Sequence, residues 1–424
     1  MEKNTQIQSV TIACKKCNEG IASNLNSHAY SIICPSCGTV YNCYNGALIY
    51  TNKTIGKLSK PMDIPLGSIG TIKGIRYQVI GYLYKKENGT VYHWHEYVLF
   101  NLVHGLAYLS QYDGHWTFLL EIHSIPSVKG WTAVHEEITY DLYSKYKSKI
   151  VSATGEFVYR FEPSETPTIE EFIRPGFVIS KESTPDTVTW YKGEYILPGA
   201  VKEGFKLKSI PEARGVGMIQ PFLGKFTAGA FRRILVFLFI CWSLAQFYFT
   251  AVSKEEIVFE QSFVVDDSLN RKEIHSKTFD LKYGTRNVEI ILHTSVDNNW
   301  FYTNATLVNE QTGDIYDVGL EAEYYHGYTG GESWSEGSGW VSKVVSQVPE
   351  GKYYMILIPE KPATVPSVSI TITVIRDVFI MSNVLIVLVL LSIFPIYYYY
   401  RKNKFEKARW YNSNYSPYDN DEDN

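Results

Sequence analysis

A mainly β chain carrying two membrane-crossing helices is what this sequence predicts, on three observations. Short runs of alternating apolar and polar residues, broken by glycine and by Asn-Gly or Asp-Gly pairs, recur along most of the 424 residues. Tyrosine (33) greatly outnumbers methionine (5), and aromatic and β-branched residues suit pleated surfaces. Two uncharged apolar runs, Ile234–Val252 and Val378–Tyr400, are long enough at about 1.5 Å per residue to cross a hydrocarbon core of about 30 Å. A chain of this length divides into several units. Its net charge of −4, with acids and bases nearly balanced, leaves no broad basic surface for a phosphate backbone, so nucleic acid is not an expected partner.

The first element spans 1–50. Cys14-Lys-Lys-Cys17 and Cys34-Pro-Ser-Cys37 have the spacing of two knuckles that give four thiolates to one ion, a zinc ribbon. Gly20, Pro35 and Gly38 supply turn residues that let backbone N–H groups approach sulfur. Four thiolates close the shell around zinc and leave no position for water or substrate, so the expected metal role is structural. Cys43 and Cys241 stand apart from the pairs, and Lys15 with Lys16 makes only a small basic patch.

The second element, 66–205, reads as a small antiparallel barrel-like domain. Its hairpins are punctuated by Gly67, Gly70, Gly74, Gly81, Asn88-Gly89 and Asp113-Gly114. The ordered set Gly67, Gly70, Gly74, Tyr77, Val79, Ile80, Gly81, Trp94, Glu96, Tyr97 and Trp116 resembles a bacterial family known only as domain of unknown function 4178. The resemblance covers Leu66 to about Phe205; it implies a fold boundary and a role at the cell envelope, not a reaction. Trp94 and Trp116 are expected to be core aromatics. Six of the ten histidines fall between His93 and His135. His93 and His95 would share one strand face, His115 or His123 could add a third ligand, and Glu96 or Glu121 could act as base. This is the alternative reading, a metal-dependent hydrolase.

Residues 206–233, with two prolines and scattered cations such as Arg214, read as a linker descending to the membrane. The opening MEKNTQIQSV lacks a basic-then-apolar pattern, so the first span, 234–252, is expected to do the targeting. Lys225, Arg232 and Arg233 precede it; Arg401, Lys402, Lys404, Lys407 and Arg409 follow the second span, 378–400. These flanks place both termini in the cytoplasm of a two-pass inner-membrane protein. The intervening 253–377 is then exported, and it contains no cysteine, while the paired cysteines fall on the reducing side. The tail, 401–424, turns from basic to acidic, and its Tyr/Asn-rich stretch and final DNDEDN are expected to be disordered.

Alternating runs such as NVEIILHT, WFYTNATLVN and SVSITITVI make 253–377 an expected β-sandwich. Between Glu323 and Trp340, aromatics, glycines and carboxylates crowd one hairpin or loop. Tyr328, Trp334 and Trp340 are the candidate ligand-binding residues there. Glu332 and Glu336 invite a glycosidase reading, which two acids in a glycine-rich loop do not by themselves support. The leading expectation is an adaptor or sensor of the bacterial cell envelope. It would bind a protein partner on the cytoplasmic side and, outside, a ligand the sequence does not name, with no catalytic residue assigned.

Overall fold

The computed structural model describes residues 10–23, 29–44, 47–58, 61–222 and 228–418; the acidic end 419–424 and parts of the expected ribbon lie outside them. The chain divides into two compact units, 1–231 with 396–424, and 232–395.

The first unit is organised by eight antiparallel strands: β1 (Ile75–Glu87), β2 (His93–Asn101), β3 (Gly105–Tyr112), β4 (His115–Ile122), β5 (Ile138–Phe157), β6 (Thr168–Arg174), β7 (Phe177–Ser183) and β8 (Val188–Ile196). They pair in the order β1-β2-β3-β4-β8-β7-β6-β5, and β5 returns to β1, so the sheet closes into a barrel without a free edge. Strand β5 makes closure possible by its length. Its first half, Asp141–Lys147, pairs with β6, and its second, Ser148–Gly155, pairs with β1 across a bulge between Ile150 and Ser152. At this seam Gly155 has φ +97°, and a Cβ there would lie 2.3 Å from the Ile80 carbonyl oxygen, so only glycine fits.

The cysteine-bearing segment is not a separate domain ending at 50. Strand Ser31–Ile33 pairs with the end of β5, Gly155–Phe157, on the edge that β6 has left, and Thr39–Tyr44 and Ala47–Thr54 extend that ladder. Ile32, Ile33, Val40 and Tyr41 share one core with Ile80, Leu83, Ala153 and Phe157 of the barrel. A second core, Tyr77, Val79, Tyr97, Leu99, Leu109, Trp116 and Phe118, joins Ile64, Val201 and Phe205. Trp116 is fully buried there, as the sequence suggests. Val201 belongs to the short helix α1 (Pro198–Gly204), which, with Phe205, belongs to this core.

The second unit contains two sheets over one core. Glu256–Asp266, Ser367–Arg376, Arg286–Thr294 and Trp340–Val348 form the first, in that order. Gly351–Glu360, Asn299–Asn309, Ile315–Thr329 and Glu332–Ser338 form the second, with Ile274–His275 and Phe279–Leu281 on its outer edge. Phe259 stacks on Phe279 at 4.6 Å, and Ile290, Leu292, Phe301, Leu307, Met355, Ile370 and Ile372 fill the space between the sheets, as alternation in a sandwich requires. The Ser253 hydroxyl donates to the Asp377 carbonyl (2.9 Å), and the Lys254 N–H donates to the Asp377 carboxylate (2.9 Å). The two ends of the sandwich are thereby tied together.

Helices α2 (Ala228–Val252) and α3 (Met381–Trp410) are both long and apolar enough to cross a membrane. Helix α3 runs ten residues past the apolar run's end at Tyr400, so the basic stretch 401–410 is helical and not part of a tail.

Gly155→Ala should lower the thermal midpoint of the full chain in detergent, with a cost of about 2 kcal/mol or more, because backbone at the barrel seam would have to move. Melting followed by near-UV circular dichroism checks this; an unchanged midpoint would mean that the seam yields freely.

Candidate ligand cavity and metal centre

The two knuckles converge. Cys14, Cys17, Cys34 and Cys37 place their sulfurs within 4.8 Å of one another, with Cys14–Cys37 at 3.6 Å and Cys17–Cys34 at 3.7 Å. None is in a disulfide. Among the described residues this is the one group of three or more His, Cys, Asp or Glu side chains able to hold a metal ion. Each knuckle closes with the same bond, Asn18 N–H to the Cys14 carbonyl and Gly38 N–H to the Cys34 carbonyl, both 2.9 Å. The residue after each second cysteine is left-handed: Asn18 (φ 64°) and Gly38 (φ 68°). Gly20, expected to serve a turn, lies instead in a strand opposite Ala13.

Polar groups around the sulfurs suit negative charge. The Tyr41 hydroxyl lies 3.1 Å from Cys14 Sγ, and Thr39 Oγ1 lies 3.0 Å from Cys37 Sγ. Burial opposes ionisation at Cys14, yet the Tyr41 hydroxyl and the N–H groups of Cys17 and Lys16 outweigh it and bring the thiol down to about 6. Burial wins at Cys34, which is pushed up to about 12.

The second feature is a cavity of about 780 Å³ inside the barrel. Inward positions follow from the register. Across the ladders Trp94 faces Lys85, Glu96 faces Ser110, Ser110 faces Thr117, Thr117 faces Tyr195, and Ser144 faces Glu171. The adjacent glutamates of β6 consequently point to opposite sides. Glu170 pairs with Lys145 (2.5 Å) and Lys181 (2.8 Å), whereas Glu171 lines the cavity and accepts from the Ser144 hydroxyl (2.7 Å). Glu171 is half-buried because the surface it keeps faces the lumen; removal from bulk water still pushes its carboxyl above the usual range, and the Glu87 charge adds to that. Glu87 lines the same cavity and is also raised by burial. Among the described residues neither has a cation within ion-pairing distance. Trp94 meets Tyr146 edge to face at 5.8 Å, and both line the wall. Trp94 is therefore a cavity residue as well as a packing one. Glu96 is engaged elsewhere, in a nearly buried pair with Lys85 at 2.8 Å. Burial works against the Lys85 ammonium, but Glu96 holds it above its ordinary range.

The cavity is also lined by two segments that the sequence assigns to linker and tail. Residues 214–219 line it, with Ile219 buried, and so do Ala408, Arg409, Tyr411, Asn412 and Asn414. Arg409, at the end of α3, is 1% exposed. It pairs with Glu406 (2.7 Å) and donates to the carbonyls of Met218 (2.8 Å), Gln220 (2.6 Å) and Gly217 (3.3 Å). Trp410 is buried with Ile173 and Val178, the Ser413 hydroxyl donates to the Tyr143 carbonyl, and Tyr415 packs on Trp131 at 5.8 Å. The Tyr/Asn-rich stretch 411–418 is therefore ordered against the barrel, contrary to the expectation from composition.

The histidines do not assemble. His93 bonds the Val91 carbonyl, His95 the Tyr82 hydroxyl and His135 the Ser124 hydroxyl. His115 donates from Nε2 to the Arg214 carbonyl and accepts at Nδ1 from Tyr195, both at 3.0 Å, so both ring nitrogens are used. His123 and Glu121 are exposed. The metal-hydrolase ligand set is thus not brought together. In the sandwich, Tyr328, Trp334 and Trp340 are 74%, 46% and 57% exposed, and the Trp334 ring lies over Gly327. Glu332 and Glu336 are four residues apart on one extended strand, hence about 13 Å apart, beyond the separation glycoside hydrolysis uses.

Residues 65–198 match the family model described as "Domain of unknown function (DUF4178)". The barrel strands, Ile75 to Ile196, fall within that match. No curated protein matches the chain. Among solved structures, the mosquito-larvicidal Cry4Aa toxin from Bacillus thuringiensis aligns at 9% identity over 72% of this chain and 53% of the toxin, with a TM-score of 0.19. The infectious bursal disease virus Gx strain structure aligns at 10% identity over 87% of this chain and 70% of that one, also at 0.19. The chain spans about half the length of the toxin, and at these scores neither likeness bears on fold or function.

Glu171, Glu87, Tyr146 and Arg409 carry no motif. The one signal in the sequence is the pair Glu170-Glu171 inside the alternating run TIEEFI, where strand geometry turns one of two neighbouring acids inward. Arg409→Ala should cost about 3 kcal/mol, since it strands Glu406 and three carbonyls, and should speed amide exchange in 214–220 and 408–414. Hydrogen exchange by mass spectrometry on the full chain checks this; unchanged exchange in both segments would mean that they are held by other contacts.

Proposed function

We propose that this chain is a two-pass membrane sensor or adaptor in which the β-barrel binds a small ligand behind a lid formed by the end of the second membrane helix. One observation carries the reading: a cavity of about 780 Å³, within the size range of small-molecule sites, is bordered by residues that continue directly from α3. Occupancy of the barrel and the position of α3 are then linked, because a ligand that prefers one arrangement of the lid shifts the helix that carries it. Membrane crossing is supported by the apolar side chains of α2 and α3, which are outward rather than buried: Phe237, Phe247, Leu390 and Phe394 are all exposed. The basic flanks put the barrel and both termini in the cytoplasm and the sandwich outside, at the envelope face of a bacterial inner membrane. Tyr328, Trp334 and Trp340 give the sandwich an exposed aromatic surface for an envelope ligand or protein. The cytoplasmic outer wall of the barrel is then the surface for a protein partner.

Zinc fits the four-cysteine centre. Bonds of about 2.3 Å in a tetrahedron give sulfur–sulfur edges of about 3.8 Å, close to the two edges of 3.6 and 3.7 Å. With all four ligands from protein, the ion staples and does not catalyse. Because Ser31–Ile33 pairs with β5, the staple also supports the barrel.

Two measurements test these readings. Metal analysis should find about one zinc per chain, and Cys34→Ser should release it and lower the barrel's melting temperature. Metal loss without any change in melting would separate the ribbon from barrel stability. For topology, single cysteines at Asp314 and Lys129, both exposed, should behave oppositely in intact cells: the first should react with an impermeant thiol reagent, the second only after permeabilisation. Equal labelling of both sites would defeat a sensor that spans the membrane.

A further inference from the structure

We propose that the barrel cavity binds an organic ammonium ion, its charge set against Glu171 and Glu87 and its hydrocarbon part against Trp94 and Tyr146. The inference rests on the ligand-binding reading above and narrows it to a chemical class. Glu171 and Glu87 line one cavity, with the exposed Asp113 also in its lining, and the nearby lysines and Arg409 are already committed: Lys145, which also lines it, pairs with Glu170, Lys85 with Glu96, and Arg409 with Glu406 and the carbonyls of residues 217, 218 and 220. Arg214, at the mouth, is exposed to solvent. Unpaired carboxylates removed from water are unfavourable: burial raises both, and the Glu87 charge raises Glu171 further. An entering cation relieves both costs. An anion would meet two like charges there, and a neutral molecule would leave them unpaired.

The walls discriminate further. Trp94 and Tyr146 present an edge-to-face pair beside the acids, and aromatic faces attract ammonium groups, most strongly where water is excluded. A bare divalent ion suits this lining poorly, since hard cations take six or more oxygens and the carboxylates Glu87, Glu171 and the exposed Asp113 stand among rings and hydroxyls and form no clustered ligand set among the described residues. The volume of about 780 Å³ has room for an alkyl or aryl body behind the charged head.

The test uses the full chain in detergent and three probes of similar shape: 2-phenylethylamine, 2-phenylethanol and 3-phenylpropanoate, titrated by calorimetry at neutral pH. The amine should bind at least about tenfold more tightly than the other two. Glu171→Gln, which keeps an acceptor for the Ser144 hydroxyl, should weaken the amine about tenfold or more and leave the alcohol unchanged; Glu87→Gln should weaken it less and serves as the second variant should Glu171→Gln fail to fold. If the alcohol or the carboxylate binds as well as the amine, or if neither variant changes amine affinity, the ammonium assignment falls while the cavity remains a binding site. If none of the three probes binds the wild-type chain, both the assignment and the cavity-binding reading fall.

Discussion

Closure of β5 on β1 is the contact on which the first unit depends. Once Ser148–Gly155 pairs with Glu87–Gly81, the sheet has an inside, and every alternate side chain on eight strands is committed to it. The same strand then receives the strand Ser31–Ile33, from the segment that carries the four cysteines, at Gly155–Phe157 and the hairpin strand Thr132–His135 at its other end. One long strand therefore joins the four-cysteine cluster, the barrel and the segment 409–413: Tyr143, near its start, donates to the Arg409 carbonyl and accepts from the Ser413 hydroxyl. Stability and site geometry are not separable here, because the residues that close the sheet are neighbours of those that line the lumen.

What could be read in the sequence was what is local. The Cys-x-x-Cys pairs encode their own turns, and the apolar runs encode α2 and α3 by length alone. Alternation in NVEIILHT or SVSITITVI marks strands whose inner face is apolar, which is why the two-sheet unit was legible as a sandwich. Barrel closure was less so. Gly81 and Gly155 are distant in the chain, and nothing near either one names its partner. The ribbon's attachment to the barrel failed to show for the same reason, and a boundary at residue 50 cut through the strand Ala47–Thr54.

The cavity was hidden by a different cause. Its acids and aromatics lie on alternate positions of strands that also carry outward polar residues, so composition averages the two faces. Only register separates Glu171 from Glu170, or Tyr146 from Lys145. The ordering of 411–418 was hidden by its low-complexity look: a stretch rich in Tyr and Asn resembles a solvated tail, yet tyrosine can bury its ring while bonding through its hydroxyl, and Tyr415 and Trp410 have found rings to pack on.

The order in which the chain emerges gives the segment around Arg409 a further significance. Polypeptides are made from the amino end, and domains fold as their sequence becomes available. All eight barrel strands and both cysteine pairs precede α2, so the barrel can form while the sandwich and α3 are still unmade. Arg409 and Trp410 arrive only at the end of α3. Residues 214–219, which also line the cavity, precede α2 as well, but until α3 is made they lack the bonds that Arg409 gives the carbonyls of Gly217, Met218 and Gln220. On the proposed reading, a ligand present at that stage would not meet the Arg409 bonds to the carbonyls of Gly217, Met218 and Gln220, whereas one arriving afterwards would. Loading during assembly and exchange in the finished protein are thus different kinetic problems.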